Sequence, residues 1–434
     1  MTYTEPSREI SVISDVDVLV LGAGPAGIGA AVWAARTGAN TMLIEQAGDV
    51  GGISTIGLMS HWTGNTKGGF YDEILNRSAD SDYAAANFGF HVDKQIINPE
   101  HLKTVYLQIL HEAGVRLRLY TFASDVIMEG TTIKGVILES KSGREAVMAK
   151  VVIDCTGDGD IAAKSGAAYY LGRETDGSMQ PVTIMFKVGG VDYSKAIFPS
   201  SFEDQIEVPA GEIQSLGKQH LPFPAGHVLL YATSLPGVVT CNMTNCTKIN
   251  GTDVDDLVKA TLICREQMEP IVAFLRKYAP GYENCYLLSS ASLIGVRETR
   301  HFKGVQTITE EDIQNARVFD NWVVSKAHFN FDVHNMTGNG LDQTGCQAHF
   351  QQKKGYTIPY GCFVPESIDG LLLAGRNISG THMAHSNFRV MPICINMGQA
   401  VGIAAALAIH HKILPRDVDA KEIQQILIKH GVTL

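Results

Sequence analysis

An apolar run, Val16 to Leu21, enters Gly22-Ala23-Gly24-Pro25-Ala26-Gly27, and an Ala-rich segment of helical character follows to about Thr37. A second apolar run, Thr41 to Ile44, ends on Glu45. Short apolar runs bounded by turn residues read as buried strands, so the order is strand, glycine turn, helix, strand, acid. Gly51-Gly52 opens a glycine-rich loop before a helix near Gly69 to Arg77. Leu102, Val105, Tyr106, Ile109 and Leu110 share one face of a helix from Asn98 to Ala113. Strands are expected at Val115 to Phe122, Ser124 to Glu129 and Ile133 to Ser140, with a hairpin turn at Lys141-Ser142-Gly143. Ala149 to Asp154 reads as a short buried strand entering CTGDGDIAAKSGA.

From about Tyr170 the pattern changes. Strands at Thr183 to Val188 and Leu229 to Thr233 mix with glycine loops and one long helix, Val254 to Tyr278. The chain then returns through a buried strand, Leu371 to Ala374, into another glycine turn, and a last long helix starts near Pro392. This predicts an α/β fold: a Rossmann-like dinucleotide-binding domain with a central parallel sheet, from residues 1–169 and 353–434, plus an inserted α+β substrate (cap) domain, 170–352.

The first glycine turn has a physical job at each position. Gly22 permits the tight turn, Gly24 lets backbone approach a pyrophosphate, and Gly27 lets the helix pack close to the strand. Free N–H groups and the dipole at the helix start attract phosphate. Glu45 lies 18 residues after Gly27. It can accept hydrogen bonds from ribose hydroxyls and disfavours a 2′-phosphate, so NAD or FAD is preferred over NADP.

Composition narrows the partners. The net charge of −10 makes nucleic acid and anionic membrane poor partners. The polar start carries no apolar signal core, and a cytoplasmic protein is expected. Ile393 to Ile409 is apolar but interrupted by Asn396, Gly398 and Gln399, which suits a buried helix better than a membrane span. The eight cysteines are scattered. Cys241 and Cys246 have the CxxxxC spacing of a redox disulfide but lie some 190 residues after the first nucleotide-binding unit, so two incidental thiols are the reading adopted.

Two further strand-to-glycine turns, residues 154–160 and 373–382, would end at the same sheet edge as the first. An extended cofactor crossing that edge can use all three, which favours FAD over NAD. Five blocks carry a resemblance: Glu45 with Gly51-Gly52, VVIDCTGDGDIAAKSGA, IGVRETRHFKG, the Tyr356-to-Tyr360 crossing, and LLLAGRNISGTHMAHSNFRVMPICINMGQAVGIAAALA. Together they resemble FAD-dependent oxidoreductases related to the flavoprotein subunits of fumarate reductase and succinate dehydrogenase. The resemblance is weakest from 190 to 285. It implies FAD with its isoalloxazine at the junction with the inserted domain. By motif position it implies a lining of Gly22, Gly24, Pro25, Ala26, Glu45, Gln46, Gly51, Gly52, Ala123 (through backbone), Thr156, Gly157, Gly375 and Arg376. Covalent members of that group use a histidine soon after the second strand. None occurs between Glu45 and Ser60, and His61 comes later than that pattern asks, so the FAD is expected to be non-covalent.

The N-terminus of the last helix would face the flavin N1–C2=O edge and stabilise its reduced anion. Gly398 is grouped with the cofactor positions, and with Gly402 it makes a small face for close packing on the sheet. Arg389 adds positive charge at that edge or pairs with an acid between domains. Within GVRETR, strand alternation would set Arg297 and Thr299 opposite Glu298 and Arg300. One arginine can clamp an anionic substrate, and the other then serves an inter-domain salt bridge. Asp332 and His334 sit in a polar glycine loop, where a histidine can move protons. His382 and His385 follow the last glycine turn and should lie near the flavin, with His61 and Trp62 bordering it. Their HxxH spacing, in an expected loop without a Cys or acid cluster, argues against metal.

The reading is a flavoenzyme that transfers hydride between a small organic substrate and flavin N5. Only one GxGxxG occurs, so the second electron carrier would be a partner protein, a diffusing nicotinamide, quinone or oxygen. An NAD-dependent dehydrogenase is the alternative. A non-redox flavoprotein (an isomerase, lyase or binding protein) is the other.

Overall fold

A computed structural model describes residues 2–79, 95–344, 350–352 and 354–434. The expected domain boundary at 353, and Cys346, lie outside the described residues. Strand β1 spans Ser11–Leu21, helix α1 Pro25–Arg36 and β2 Thr41–Ile44. Then come β3 Arg116–Arg118, β4 Phe122–Glu129, β5 Thr132–Ser140 and β6 Gly143–Asp154. They form one sheet in the order β3-β2-β1-β6-β5-β4, with Leu371–Leu373 also pairing β6. β1, β2, β3, β6 and Leu371–Leu373 pair in parallel, while β4, β5 and β6 form an antiparallel meander.

Three boundaries differ from expectation for one reason, pairing that apolar patterning does not register. β1 begins at Ser11 and β6 at Gly143, because their polar first halves pair with each other from Ser11–Glu145 onward. The strand expected at Val115 to Phe122 ends at Arg118. Beyond it the chain turns to Glu45, where Thr121 N–H meets the Glu45 carbonyl at 3.0 Å. The long helix expected from Val254 to Tyr278 is two helices, Val254–Glu266 and Met268–Tyr278. Pro270 has no N–H for the Glu266 carbonyl, so the helical ladder breaks there. The side chain of Gln267 is turned inward onto both backbone groups of Asn245, at 2.8 Å each.

The core is split. One buried cluster covers the main sheet, α1 and the terminal helix; a second runs from Val182 to Ala291 and takes in Leu58. The second packs helices Ile213–His220 and Met268–Tyr278 near a four-stranded antiparallel sheet. Phe302, Ile308, Ile313, Trp322 and Phe331, from the stretch expected in the inserted unit, are buried in the first cluster.

The terminal helix Met391–His411 is buried along nearly its whole length, although length and composition alone would let it cross a membrane. Its close neighbour is α1, not the sheet. A Cβ on Gly398 would overlap the Ala26 carbonyl oxygen, and one on Gly402 would lie 2.4 Å from the Ala30 oxygen. From the other side, a Cβ on Gly29 would lie 2.5 Å from the Ile395 oxygen. Gly398, grouped in sequence with the cofactor positions, thus has a role in helix packing. Gly398→Val should cost about 3 kcal/mol or more by overpacking. Denaturant unfolding of the purified variant checks this, and wild-type stability would refute it.

Candidate active site

The register sets three strand ends level. Leu21 pairs with Asp154, and Asp154 with Leu373. The three glycine bends therefore open together. Gly22, at φ +90°, has no room for a Cβ, which would lie 2.5 Å from the Cys155 oxygen. Gly375, at φ +108°, is the turn from the far end of the chain, and a Cβ there would be 3.5 Å from Ala26 Cβ. Gly51 N–H donates to the Ala23 carbonyl at 2.7 Å, and a Cβ on Gly52 would sit 3.3 Å from Gly24 Cα. Thr156 is half-buried beside Gly22, and Gly157 abuts the guanidinium of Arg376.

Within this cradle, Gly24 differs from the rest. A Cβ there would meet nothing within 4 Å. Packing therefore does not require glycine at 24, whereas at 27 a Cβ would overlap the Gly22 carbonyl oxygen. Helix α1 starts at Pro25 and Ala26 with no side-chain cap and no acid in its first turn, so its N–H groups face the same opening. Glu45 directs its carboxylate back at the turn, accepting from Ala23 N–H at 2.7 Å and Ala47 N–H at 2.8 Å. Gln46 beside it is exposed, and Ala123 is half-buried two residues past the Thr121 contact with Glu45. Arg376 donates to Asp158 at 3.0 Å and leaves Nη1 buried without a protein partner. A bare helix start, an open position at Gly24 and an unsatisfied guanidinium nitrogen all fit a bound pyrophosphate.

The second group of residues lies where the 182–291 cluster meets this edge. Arg389, the C-cap of helix His382–Phe388, donates to Asp332 Oδ2 at 2.8 Å and to the Asp332 carbonyl at 2.9 Å. His334 Nε2 is 3.4 Å from the same Oδ2. Arg297 is buried and donates to the Pro181 carbonyl at 2.6 Å. Burial, with Arg389 as a like-charged neighbour, brings Arg297 down to about 10. Burial pushes His334 down to about 4 and His227 down to about 3, so both rings are neutral at physiological pH. Phe202 stands edge-on to both imidazoles, at 4.9 and 5.0 Å. Burial raises Tyr231 to about 12, and His61 stacks on its ring at 4.8 Å. Asp332 is held well below the usual carboxylate range by His334 and the two arginines, against the opposing effect of burial.

One of the two guanidinium groups, Arg389, contacts Asp332, while the buried Arg297 bonds only the Pro181 carbonyl; Arg389 Nε, His227 Nδ1 and Asn242 Oδ1 are buried without a protein partner. His227, Tyr231 and Asn242 were not legible in sequence. They come from strands and loops whose apolar spacing carries no chemical signal.

The remaining candidates fall elsewhere. Arg297 to Thr299 precede the strand Arg300–Phe302 rather than forming part of it. Arg300 pairs with Asp160 at 2.8 Å, the salt-bridge alternative. His382 and His385 are on a helix, not in a loop, because Thr381 caps it by accepting from Ala384 N–H. They turn toward Glu298. Its Oε1 lies 2.6 Å from His382 Nδ1 and 2.9 Å from His301 Nε2, and the His301 and His385 rings meet edge-on at 4.9 Å. Cys241 and Cys246 are buried free thiols, as are the other described cysteines.

This geometry defines a dinucleotide-binding flavoprotein fold in which Arg297, Arg389, Asp332 and His334 form a largely buried charged cluster. A family model of FAD dependent oxidoreductases matches residues 17–427, and the chain belongs to that family. It is an FAD-dependent oxidoreductase, with FAD rather than NAD as its cofactor. Among curated relatives, thiamine thiazole synthase of Methanococcus maripaludis is 28% identical over 160 residues. That of Methanococcus vannielii is 27% identical over 158. The first match covers 33% of this chain and 57% of that protein, and the second 33% and 56%. A geranylgeranyl bacteriochlorophyll reductase-like protein from Thermoplasma acidophilum aligns over 96% of this chain and 84% of its own, at 12% identity and TM-score 0.48. The p-nitrophenol 4-monooxygenase of Pseudomonas putida aligns over 97% and 87%, at 10% and 0.49.

Two outcomes follow from the geometry. Gly24→Val should fold with near-wild-type stability yet retain less than about a tenth of the flavin, since a side chain enters only ligand space. Flavin absorbance per chain and a melt of the flavin-free forms check it; a fully yellow variant would sink the phosphate placement. The second concerns pH. His227 and His334 bind protons near pH 6.5 when unfolded but only near 3 and 4 when folded. The unfolded chain then carries more protons through that window, so stability falls as pH drops from about 6.5 toward 4. A melting temperature flat across that range would contradict the burial of both rings.

Proposed function

We propose that the enzyme oxidises or reduces a small organic acid, with hydride passing between the substrate carbon and flavin N5. The observation that carries this reading is the pair Arg297 and Arg389, two largely buried cations set against the single carboxylate of Asp332. Histidines 227 and 334 are neutral and cannot offset either. Buried charge left in excess is costly unless an anion completes it. A substrate carboxylate supplies that anion, and a guanidinium can grip it with two parallel hydrogen bonds.

FAD, when bound, supplies the two-electron chemistry. The chain's own residues bind the acid, orient it and handle the proton. Asp332 fixes Arg389 and faces Nε2 of His334, which keeps that ring's proton on Nε2 and leaves Nδ1 with the lone pair. His334 then takes the proton of a substrate hydroxyl or amine, and returns it in the reverse direction. Tyr231 stays protonated and donates. The N-terminus of Met391–His411, which has no side-chain cap, points a positive dipole end from the Arg389 side.

The likeness of five sequence blocks to flavoprotein subunits of fumarate reductase and succinate dehydrogenase supports an organic-acid substrate. Non-covalent FAD is supported by His61, whose ring is stacked against Tyr231. The buried free thiols support a reducing compartment and hence the cytoplasm. We assign the second half-reaction to an exogenous electron carrier, a protein, nicotinamide, quinone or oxygen.

Anaerobic mixing of the flavin-loaded protein with small hydroxy acids, their amides, neutral sugars and amines tests the assignment. Bleaching by acids alone is expected; equal bleaching by neutral amides would overturn it. Arg297→Lys or Arg389→Lys should raise KM about 10- to 100-fold for the reactive acid. His334→Gln should lower kcat about 100-fold or more with KM little changed. An unaltered kcat would remove His334 from the proton path.

A further inference from the structure

We infer that Glu298, His301 and His385 bind one divalent transition-metal ion of the zinc class, at a buried site separate from the substrate pocket. Two sequence-distant pairs meet there. Glu298 and His301 sit three residues apart at the strand Arg300–Phe302, and His382 and His385 three apart on the helix His382–Phe388. One ligand atom from each of Glu298, His301 and His385 lies within 4.8 Å of the others, and all three residues are buried. Ligands of a tetrahedral ion with bonds of about 2.1 Å stand about 3.4 Å apart, so the His301–Glu298 pair, now 2.9 Å, would open slightly on binding while His385 stays within reach.

The surroundings match what metal ligands need. Glu298 Oε2 accepts from Gln180 N–H at 3.1 Å, which leaves Oε1 to point inward. His301 Nδ1 is 3.2 Å from the Gly380 carbonyl, and Nε2 is 2.9 Å from Glu298 Oε1. In the metal-free protein His301 Nε2–H donates to Glu298 Oε1; an ion would displace that proton, with Nδ1 donating to Gly380 and orienting the ring. His382 Nδ1 donates to the same carboxylate and orients it. The second, independent observation is His385, 1% exposed, whose Nδ1 has no hydrogen-bond partner. A purely hydrogen-bonded network would leave that nitrogen unsatisfied in the interior, and an ion satisfies it.

Imidazoles with one carboxylate suit zinc-class ions rather than calcium or magnesium, which take shells of oxygen. The ion would tie the segment carrying Arg297 to the helix that ends on Arg389. It therefore fixes the spacing of the two guanidinium groups without touching substrate.

Purified flavin-loaded protein, incubated with Zn2+ and dialysed against metal-free buffer, is assayed for metal by plasma mass spectrometry and for flavin by absorbance. Wild type should hold about one ion per chain, and His385→Gln less than about a tenth of one, with equal flavin in both. Co2+ in place of Zn2+ should give d–d bands to the red of the flavin in wild type alone. A metal-free wild type, or a variant that keeps its ion, would overturn the assignment. Should His385→Gln fail to fold, wild type alone decides: its melting temperature must fall with chelator and recover with Zn2+. Indifference to both would refute the site. Flavin content is read separately, so failure of the metal site leaves the substrate proposal standing, and the reverse.

Discussion

The level ends of three parallel strands govern the rest of this molecule. Asp154 closes the long strand β6 at the point where Leu21 and Leu373 flank it. Its carboxylate is wholly buried and accepts from Thr156 N–H and Oγ1 and from the N–H groups of Ile161 and Ala162. Burial raises its pKa, and those donors oppose the rise. A buried acid bonded in this way fixes the path of the chain just beyond the strand, because each donor it orders would otherwise be an orphan. The bends at Gly22, Gly157 and Gly375 are therefore positioned by one register.

Close approach of backbone is the second requirement. The α1 and terminal helices meet through Gly29, Gly398 and Gly402 with carbonyl oxygens where side chains would otherwise be. Packing this tight leaves no tolerance for a Cβ, and it carries the N-terminus of the terminal helix to the cofactor edge. Arg389 precedes that helix. Its contact with Asp332 joins the cofactor edge to the residues nearest the second core. Gln180 does the same from the other direction, with its N–H on Glu298 and its Oε1 accepting from His334 N–H.

Electrostatics then separate two groups of histidines. Burial keeps His227 and His334 neutral, in His334 despite the Asp332 carboxylate beside it. His301 and His382 share the buried Glu298, which they hold well below the usual carboxylate range against its burial. One residue type thus serves a neutral pocket and an anionic junction, set apart by which acid lies within reach.

The chain by itself determined the βαβ unit, the glycine bends, the acid at 45 and the buried character of Ile393 to Ile409. Those features are local: periodicity, turn chemistry and a missing Cβ act within a few residues. Tertiary structure decided that HxxH lies on a helix facing Glu298, that Gly398 serves helix packing, and that Arg389 rather than Arg300 faces Asp332. It also brought His227 and Tyr231 to His334. Each of these depends on contacts between residues far apart in the chain, 372 positions for Gly398 and Ala26, and on the register that aligns them. No periodicity encodes such contacts, because the energy that selects them comes from burial and charge pairing that exist only once the chain has folded.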